Sequence, residues 1–436
     1  MKLFKKPIFV SISPNAENDD VWLAFCLLFQ PWKWVSGATI DIFTQKFKEY
    51  IGTKYVFVFD SGRTSFYAIL RSLPLMEADE VLVQALTCTA AVNPILWVGA
   101  KPIYVDIEKN TYNMSPVDLE KKITSRSRAL IIQHTFGLPA ELDALLRIAK
   151  KHKLIVIEDV AHALGAEYSP AQISGGKIAA GRGQKLGTFG DAAFFSFGRY
   201  KIISAVFAGA AITNNPEIGK RLEQFYKECK PPSRFWIFEQ LMHPVFLAMT
   251  KPLYNIFSIG KVLVVLARKL KLISLSVYRE EKSGGHPGFG PSRMPNVLAI
   301  LGLNQLKKLE RFNEHRIKLS RIYERDLAGN RNILLPRVIN GAKPVFLNFP
   351  VQMPDADTAY TLIGALRKQE GMYLENWPAR KVIGPKGTDL EKLKYVAGSC
   401  PVAEKVAPCV VTLPTSPNTT GTDAWRVAKC INGFLE

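Results

Sequence analysis

The sequence predicts an α/β protein whose large domain is a mostly parallel sheet flanked by helices and whose C-terminal part is a smaller α/β domain. Apolar, β-rich segments alternate with helical patterns through the first half of the chain, which is typical of repeated βα units. Residues 154–159 form a continuous apolar run that ends in two acids, as expected of a strand buried on both faces. A second set of strand and helix patterns begins at about residue 329. Together these observations favour a large and a small α/β domain.

Composition limits the classes of partner. The chain has 436 residues, of which 47% are hydrophobic, so a large buried core and more than one domain are expected. Its net charge of +19 favours anionic partners such as phosphorylated small molecules or acidic lipid surfaces. Nucleic acid is not an expected partner, because the Lys and Arg are scattered and no nucleic-acid-binding signature occurs. The six cysteines contain no C-x-x-C and no signal peptide is evident, so we expect no metal site, no disulfide framework and a cytoplasmic location.

The first structural signals are a helical pattern over residues 40–50 and a β-rich run over residues 55–59. Residues 60–63 follow the run and predict a tight turn into a helix. Exposed backbone N–H groups at such a helix start bind phosphate, and small residues such as Ser61 and Gly62 let an anion approach. An ordinary strand-to-helix turn explains these residues equally well when they are considered alone.

Alternation of strands and helices then continues to residue 228. Ser115 and Pro116, with Asp118 in the first turn, form a complete helix start signal in which Ser115 is the expected N-cap. The glycines over residues 175–190 match neither a dinucleotide fingerprint nor a P-loop, so we interpret this stretch as a mobile loop. The other predicted elements cover residues 80–83, 90–98, 101–105, 129–134, 142–152 and 216–228.

Two reactive side chains follow neighbouring predicted strands. Asp159 ends the run over residues 154–159, and Lys201 lies just past the apolar segment 192–195. Open α/β sheets bind their ligands at the carboxyl ends of their strands. A lysine that can form a Schiff base and an acid that keeps a pyridine nitrogen protonated are the two groups that pyridoxal 5′-phosphate (PLP) chemistry requires. A surface acid or a solvated lysine is the ordinary interpretation of either residue alone, but their spacing and context predict a PLP site.

The order of these residues resembles the DegT/StrS-type sugar aminotransferases, which are PLP enzymes of fold type I. The family pattern E-D-x-A-Q/H-A corresponds to residues 158–163, and the pattern G-D-A-A-x-F-S-F corresponds to residues 190–197. The Schiff-base lysine of the family follows after three more residues, at the position of Lys201. The irregular distance between these parts makes the match specific.

The resemblance implies a role for each matching residue. Lys201 would be the catalytic lysine, Asp159 would pair with the pyridine nitrogen, and His162 would lie near O3′ of the cofactor. Ser196 would bind the cofactor phosphate together with the turn at residues 61–62. Trp377 corresponds to a family segment near the mouth of the active site.

The resemblance also implies a reaction. A homodimer would transfer an amino group from glutamate or glutamine to a keto sugar carried on a nucleotide, for the biosynthesis of a surface polysaccharide or glycan. Relatives that dehydrate sugars carry histidine at the lysine position, so Lys201 favours aminotransfer. A sugar dehydratase variant and a non-catalytic, membrane-associated PLP-binding scaffold or regulator are the alternatives that stay open.

Three residues depart from the family pattern. Arg63 replaces the threonine of the usual S-G-T, and we hypothesise that it adds a charged contact to the PLP phosphate or the substrate. Cys88 occupies the position of an aromatic residue that stacks on the pyridine ring, and it would offer either a sulfur contact or only a small buried side chain. Pro291 replaces an asparagine that reaches the PLP phosphate of the other subunit, which puts that contact in question.

Residues 234–278 form an insertion that is apolar, aromatic and basic, with Glu239 as its single acid. A membrane-spanning helix needs roughly 20 apolar residues, and Lys251, Pro252 and Lys261 interrupt this segment too often. It would therefore form a helical hairpin packed on its own domain or its dimer mate, or an amphipathic pair in peripheral contact with the inner face of a membrane.

The predicted division of the chain has four parts. Within the last part, residues 345–351 and 409–413 are strand-like and residues 355–369 are helical. The four parts are a large PLP-binding domain (1–228), a hydrophobic, basic helical insertion (229–285), a connecting helix (286–328) and a small C-terminal domain (329–436).

Overall fold

The computed structural model describes residues 6–12, 15–170, 183–288 and 290–436, and its central feature is a seven-stranded sheet. The strands are β1 (Tyr55–Phe59), β2 (Glu80–Gln84), β3 (Lys101–Val105), β4 (Ser127–Gln133), β5 (Ile155–Asp159), β6 (Ala192–Ser196) and β7 (Gly209–Thr213). Their order across the sheet is β1-β7-β6-β5-β4-β2-β3. All neighbouring pairs are parallel except the two that β7 makes with β1 and β6. The predicted mostly parallel sheet is confirmed.

Helices cover both faces of the sheet, which explains why its strands are apolar at successive positions. In β5, Ile157 packs into the hydrophobic cluster on one face and Val156 into the cluster on the other. The helices on the first face are Gly62–Arg71, Thr89–Trp97 and Pro216–Glu228. Those on the second face are Thr39–Ile51, Pro116–Lys122, Leu142–Lys151 and Asn296–Leu306.

The predicted helix starts are confirmed in position, but one of them differs in its capping group. Helix Pro116–Lys122 begins at the predicted proline. The Ser115 oxygen accepts no N–H of the first turn, and the hydroxyl donates a hydrogen bond to Glu108 Oε1 at 2.5 Å.

The insertion contains the helices Arg234–Thr250 and Ile259–Lys269. Trp236, Ile237 and Leu241 on the first helix join the cluster on the second face of the sheet, so this helix packs on its own large domain. It also packs along the N-terminal helix Asn18–Leu28. Within the described part of the chain, no helix is both long and apolar enough to cross a bilayer.

The segment between the insertion and the C-terminal part contains two helices, Asn296–Leu306 and Leu309–Leu327. Lys308, between them, contacts the acids Glu17, Asp19 and Asp20 with N–O distances of 3.2, 2.6 and 3.0 Å. These ion pairs connect the N-terminal helix to the connecting segment.

The C-terminal part is a smaller α/β unit, as predicted. Its strands Phe349–Gln352 and Val410–Leu413 are antiparallel, and Asp355 caps the helix Ala356–Gln369. Short strands and 3-10 helices complete the fold, and the division into domains stays a prediction. The further helices are Pro401–Val406 and Gly421–Leu435. The short strands are Ile8–Phe9, Thr87–Cys88, Glu167–Tyr168, Gln184–Lys185, Ala342–Lys343, Met372–Tyr373 and Ile383–Gly384, and the 3-10 helices are Pro31–Lys33, Thr135–Gly137, Glu280–Ser283 and Ala407–Cys409.

The first half of the glycine-rich stretch that we interpreted as a mobile loop, residues 175–182, lies outside the described residues. The described second half contains the strand Gln184–Lys185, which pairs with Glu167–Tyr168.

Candidate active site at the strand ends

The register of the sheet brings the predicted site residues to one edge. Ser196 of β6 pairs with Gly209 of β7, and Gly209 pairs with Phe59 at the end of β1. On the other side of β6, Phe194 pairs with Asp159 at the end of β5. The turn after β1, the end of β6 and Asp159 therefore lie at the carboxyl edge of the sheet, where open α/β folds bind ligands.

Lys201 lies in the loop between β6 and β7. Its backbone N–H donates to the carbonyl of Gly198 at 3.2 Å, and its own carbonyl accepts a hydrogen bond from the side-chain amide of buried Asn15. Burial lowers the pKa of Lys201, while the charges of Cys88 and Asp159 partly oppose this change. The amine is therefore more readily neutral than a surface lysine, and only a neutral amine acts as a nucleophile or a base.

Asp159 is buried at the end of β5. Burial raises the pKa of its carboxyl group, and the Ala161 N–H, Lys201 and His134 act in the opposite direction. The Ala161 N–H lies 2.9 Å from Asp159 Oδ1. A protonated pyridine nitrogen beside this carboxylate would favour its ionised form.

His162 lies in the loop after β5, beside the ring of Trp377 from the C-terminal unit. Its Nδ1 accepts the N–H of Phe136 at 3.4 Å, and its ring centroid lies 5.2 Å from that of Trp377. Burial lowers the pKa of His162 well below the ordinary value, and the charge of Lys201 adds to the effect. The ring is therefore neutral, with Nδ1 as the acceptor.

The turn between β1 and the helix Gly62–Arg71 rests directly on the neighbouring strands. A Cβ atom at Gly62 would lie 2.7 Å from the Cβ of Ser196, and one at Gly209 would overlap the Gly62 backbone. Glycine is therefore required at both positions. The Ser61 hydroxyl accepts the N–H of Thr64 at 3.1 Å and caps the helix. The helix start and the Ser196 hydroxyl thus adjoin each other, as a phosphate site requires.

Arg63 has a partner within the protein. Its guanidinium forms an ion pair with Glu281, and both side chains are buried. Glu281 lies in the 3-10 helix Glu280–Ser283, and its other carboxylate oxygen accepts the Tyr278 N–H at 2.8 Å. The pair ties the start of the predicted phosphate-binding helix to the end of the insertion, while a contact of Arg63 with phosphate or substrate stays a prediction.

Cys88 lies between the two α/β units. The strand Thr87–Cys88 pairs in parallel with Ile383–Gly384 of the C-terminal unit. Burial raises the pKa of the Cys88 thiol, with the charge of Lys201 acting against this and that of Asp159 adding to it. The Cys88 thiol thus interacts electrostatically with the predicted catalytic lysine and with the predicted cofactor-binding Asp159. Pro291 is exposed in the single chain.

Glu158 organises the site without having been predicted to do so. Its carboxylate accepts the backbone N–H groups of Gly187, Phe189 and Gly190 at 2.8, 2.7 and 2.8 Å. These bonds hold the segment that leads into β6. The sequence feature that could have identified Glu158 is an acid inside an otherwise apolar strand, because a buried acid requires hydrogen-bond partners.

Arg199 is a second residue that sequence reasoning missed. It lies two residues before Lys201 and is buried. Its guanidinium donates to the Ser274 carbonyl at 2.7 Å and to Gln240 Oε1 at 3.2 Å, and both acceptors belong to the insertion. Burial lowers its pKa to about 10. No local sequence pattern predicts this contact between Arg199 and the insertion.

The donor set of the site suits PLP. A buried carboxylate stands at the strand end where a pyridine nitrogen needs an acid, and a lysine of lowered pKa interacts with it. Ser61, Gly62 and Ser196 form a glycine-dependent cradle at a helix start, which is the arrangement that binds a phosphate. The residues present therefore fit the cofactor.

Comparison with known proteins supports this assignment. The chain is 27% identical over 409 residues to the GDP-perosamine synthase of Caulobacter vibrioides, an alignment that covers 92% of each protein. It is 37% identical over 190 residues to the dTDP-3-amino-3,6-dideoxy-α-D-galactopyranose transaminase of Aneurinibacillus thermoaerophilus, covering 43% of this chain and 49% of that protein.

Solved structures have the same fold. A putative sugar aminotransferase from Streptococcus pneumoniae in its PLP form has a TM-score of 0.74 at 20% identity, with 98% of both chains covered. Helicobacter pylori PseC, an aminotransferase involved in the biosynthesis of pseudoaminic acid, has a TM-score of 0.73 at 20% identity, with 99% of both chains covered. A sequence model of the DegT/DnrJ/EryC1/StrS aminotransferase family matches residues 27–241 and 261–432. The chain therefore belongs to the DegT/DnrJ/EryC1/StrS aminotransferase family.

Proposed function

We propose that this aminotransferase moves an amino group from glutamate or glutamine to a keto sugar carried on a nucleotide, for the synthesis of a surface polysaccharide or glycan. The observation that carries the proposal is the meeting of Lys201, Asp159 and the Ser61–Ser196 cradle at one edge of the sheet. The names of the relatives support the substrate class, because they include enzymes that make GDP-perosamine and a dTDP-linked amino sugar.

Each residue of the site has a separate task. When bound, PLP supplies an aldehyde and a ring that withdraws electrons. In its neutral form, Lys201 Nζ would be the nucleophile towards that aldehyde and the base for the proton at the donor's α-carbon. Asp159 would keep the ring nitrogen protonated, and neutral His162 would lie near O3′ of the cofactor. Ser61, Gly62 and Ser196 hold the phosphate and thereby fix the position of the reacting atoms.

The test is an absorption titration of the purified, PLP-loaded protein with L-glutamate and L-glutamine, before and after borohydride treatment. We expect a band that borohydride traps and that the amino donor converts to the pyridoxamine form. Lys201→Ala should remove the trapping and slow the conversion by about a thousandfold or more, because it removes both the covalent link and the base.

Two results would contradict the proposal. An equal band and an equal rate in Lys201→Ala would exclude the catalytic role of the lysine. A Lys201-dependent band that no amino donor changes would exclude this donor class and favour a dehydratase variant or a non-catalytic PLP-binding protein.

We propose that the protein acts as a homodimer, which the family membership supports. Multi-angle light scattering should give twice the mass of the chain. A fully active monomer would overturn this proposal.

We also propose that the insertion makes peripheral contact with a membrane. Helix Ile259–Lys269 buries Gly260, Val264 and Ala267 and exposes apolar side chains on its outer face. A helix of this kind with basic flanking residues binds at the interface of an anionic bilayer. Flotation with vesicles of phosphatidylglycerol and phosphatidylcholine tests the proposal, and the absence of co-flotation would defeat it. The exposed apolar residues between positions 257 and 275 are Phe257, Ile259, Val262, Val265, Leu266, Leu270 and Leu275.

A further inference from the structure

A basic groove lies between the insertion, the C-terminal unit and the segment that precedes Lys201. Its volume is about 200 Å³. Lys261 and Arg268 of helix Ile259–Lys269 line it on one side, and Arg367 of helix Ala356–Gln369 lines it on the other. Its other polar lining residues are Tyr200, Tyr254 and His243. The groove thus joins three cations and three hydrogen-bonding side chains from separate parts of the chain.

Aromatic rings hold two of the three cations in place. Lys261 Nζ lies 5.5 Å from the ring centroid of Tyr254 and 5.2 Å from that of Tyr373. The guanidinium carbon of Arg367 lies 5.7 Å from the Tyr373 centroid. Cations within about 6 Å of a ring centroid are attracted to the face of the ring. The positive groups are therefore partly positioned before any ligand arrives.

The charge around the groove is unbalanced. Among the described residues that line it, none is an Asp or a Glu. The charge of Glu375, which does not line the groove, acts on Tyr200 and Tyr254, and burial raises the pKa of Glu375. The charge of Arg268 also lowers the pKa of His243, after the larger effect of burial. The groove is consequently complementary to an anion.

We propose that the basic groove binds a phosphate or diphosphate group. Guanidinium groups match phosphate oxygens with two parallel hydrogen bonds, and the tyrosine and histidine side chains add donors. The volume lies below the roughly 300–1,000 Å³ of pockets that enclose a whole drug-sized ligand, so the groove suits a phosphoryl group better than an entire nucleotide.

Two kinds of ligand could supply the phosphate or diphosphate group that binds in the groove. One is the diphosphate of the nucleotide-linked substrate, which rests on the proposed function. The other is the phosphate of an anionic lipid, because the helix that supplies Lys261 and Arg268 also carries the exposed apolar face. Binding of phosphate as such depends on neither source.

The experiment is calorimetric titration of the full-length, PLP-loaded protein with inorganic pyrophosphate. Loading with PLP keeps the probe out of the cradle at Ser61 and Ser196. The test variant is Arg268→Gln/Arg367→Gln, and the control is Lys269→Gln/Lys368→Gln, which removes the same charge from the same two helices at exposed positions outside the groove.

We expect the groove variant to weaken pyrophosphate binding by about tenfold or more, because it removes two charge-assisted contacts, and the control to change it by less than about twofold. The proposal is overturned if the wild-type protein binds no pyrophosphate or if both double variants lose affinity equally. The second result would mean that only the general positive charge of the protein attracts the probe.

Two further arms identify the source. In the first arm, uridine, guanosine and thymidine diphosphates are titrated into the same proteins. If they bind more tightly than pyrophosphate and lose this extra affinity in the groove variant, the source is the diphosphate of the nucleotide-linked substrate. Loss of co-flotation with phosphatidylglycerol vesicles in the groove variant alone supports the lipid. Conversion of PLP by L-glutamate, measured in the same variants, reports on the aminotransferase proposal separately.

Discussion

The edge of the sheet and the loop before Lys201 each contain a buried arginine that contacts the insertion, but the partners of the two arginines differ in charge. At the edge, Arg63 is buried against a carboxylate, Glu281. In the loop before Lys201, Arg199 is buried against the neutral acceptors Ser274 and Gln240. Both partners come from the insertion or its end, so the insertion is attached to the predicted phosphate cradle and to the lysine loop at once.

The difference between the two arginines concerns the cost of burial. Removal of one partner of a buried ion pair leaves the other charge buried and unpaired, which is strongly unfavourable. Removal of a neutral acceptor costs only its hydrogen bonds. The outer face of the insertion lacks such buried contacts, because its apolar side chains are exposed. The exposed fraction is 82% for Phe257 and 68% for Leu270. The inner face of the insertion thus packs on the protein, and its outer face is exposed in the single chain.

The largest effect is expected when the charged partner of Arg63 is removed. Glu281→Gln keeps the shape and the acceptor for the Tyr278 N–H but removes the carboxylate paired with Arg63, leaving the charge of Asp60 to act on the buried guanidinium. We expect a loss of up to about 3–5 kcal/mol in the free energy of unfolding, measured by urea denaturation. The adjacent exposed residue provides the control, since Glu280→Gln should stay within about 0.5 kcal/mol. Similar losses in both variants would contradict the assignment.

The second prediction concerns Asp60, which precedes the phosphate cradle. Burial raises the pKa of Asp60 from 3.8 to about 6. Because the folded protein binds this proton more tightly than the unfolded chain, the contribution of Asp60 to stability is fully present below pH 4 and is lost as the pH rises to about 6. The difference corresponds to about 3 kcal/mol.

The measurement is a set of urea denaturations between pH 4 and pH 7 for the wild-type protein and Asp60→Asn. The variant should lack this part of the pH dependence and gain stability relative to wild type as the pH rises. Parallel curves for the two proteins would show that Asp60 does not titrate in this range.

A smaller effect is expected at Arg199. Gln240→Leu removes a neutral acceptor of its guanidinium and leaves the Ser274 carbonyl in place. The expected loss is about 1.5–3 kcal/mol, because a hydrogen bond to a charged group is removed without unpairing two charges. A double-mutant cycle with Arg199→Met measures the coupling directly. A coupling energy near zero would mean that the contact does not stabilise the lysine loop.

The smallest effect on stability is expected on the outer face of the insertion. Phe257→Ser should change the free energy of unfolding by less than about 0.5 kcal/mol, because the side chain is exposed, while weakening flotation with anionic vesicles. Val396→Ser changes an exposed apolar residue outside the insertion and serves as the control. Equal flotation of both variants and the wild-type protein would remove Phe257 from the proposed contact surface.

The sequence by itself determined the strand and helix order of the large domain, the strand end at Asp159, the position of Lys201 after the next strand, and the turn at Ser61 and Gly62. These features depend on local patterns, since hydrophobic periodicity and turn residues act over a few positions along the chain. The position of the helix start at Pro116 belongs here as well, although its capping group does not.

The tertiary structure alone decided which distant side chains meet. No sequence pattern near Arg63 predicts its ion pair with Glu281, and none near Arg199 predicts its contact with Ser274. The groove likewise combines Arg268 and Arg367 from two different helices. Burial of a charge requires a partner but does not specify where along the chain that partner lies. Long-range packing specifies it. The residues of the candidate cofactor site could therefore be predicted from local sequence, whereas their connection to the insertion could not.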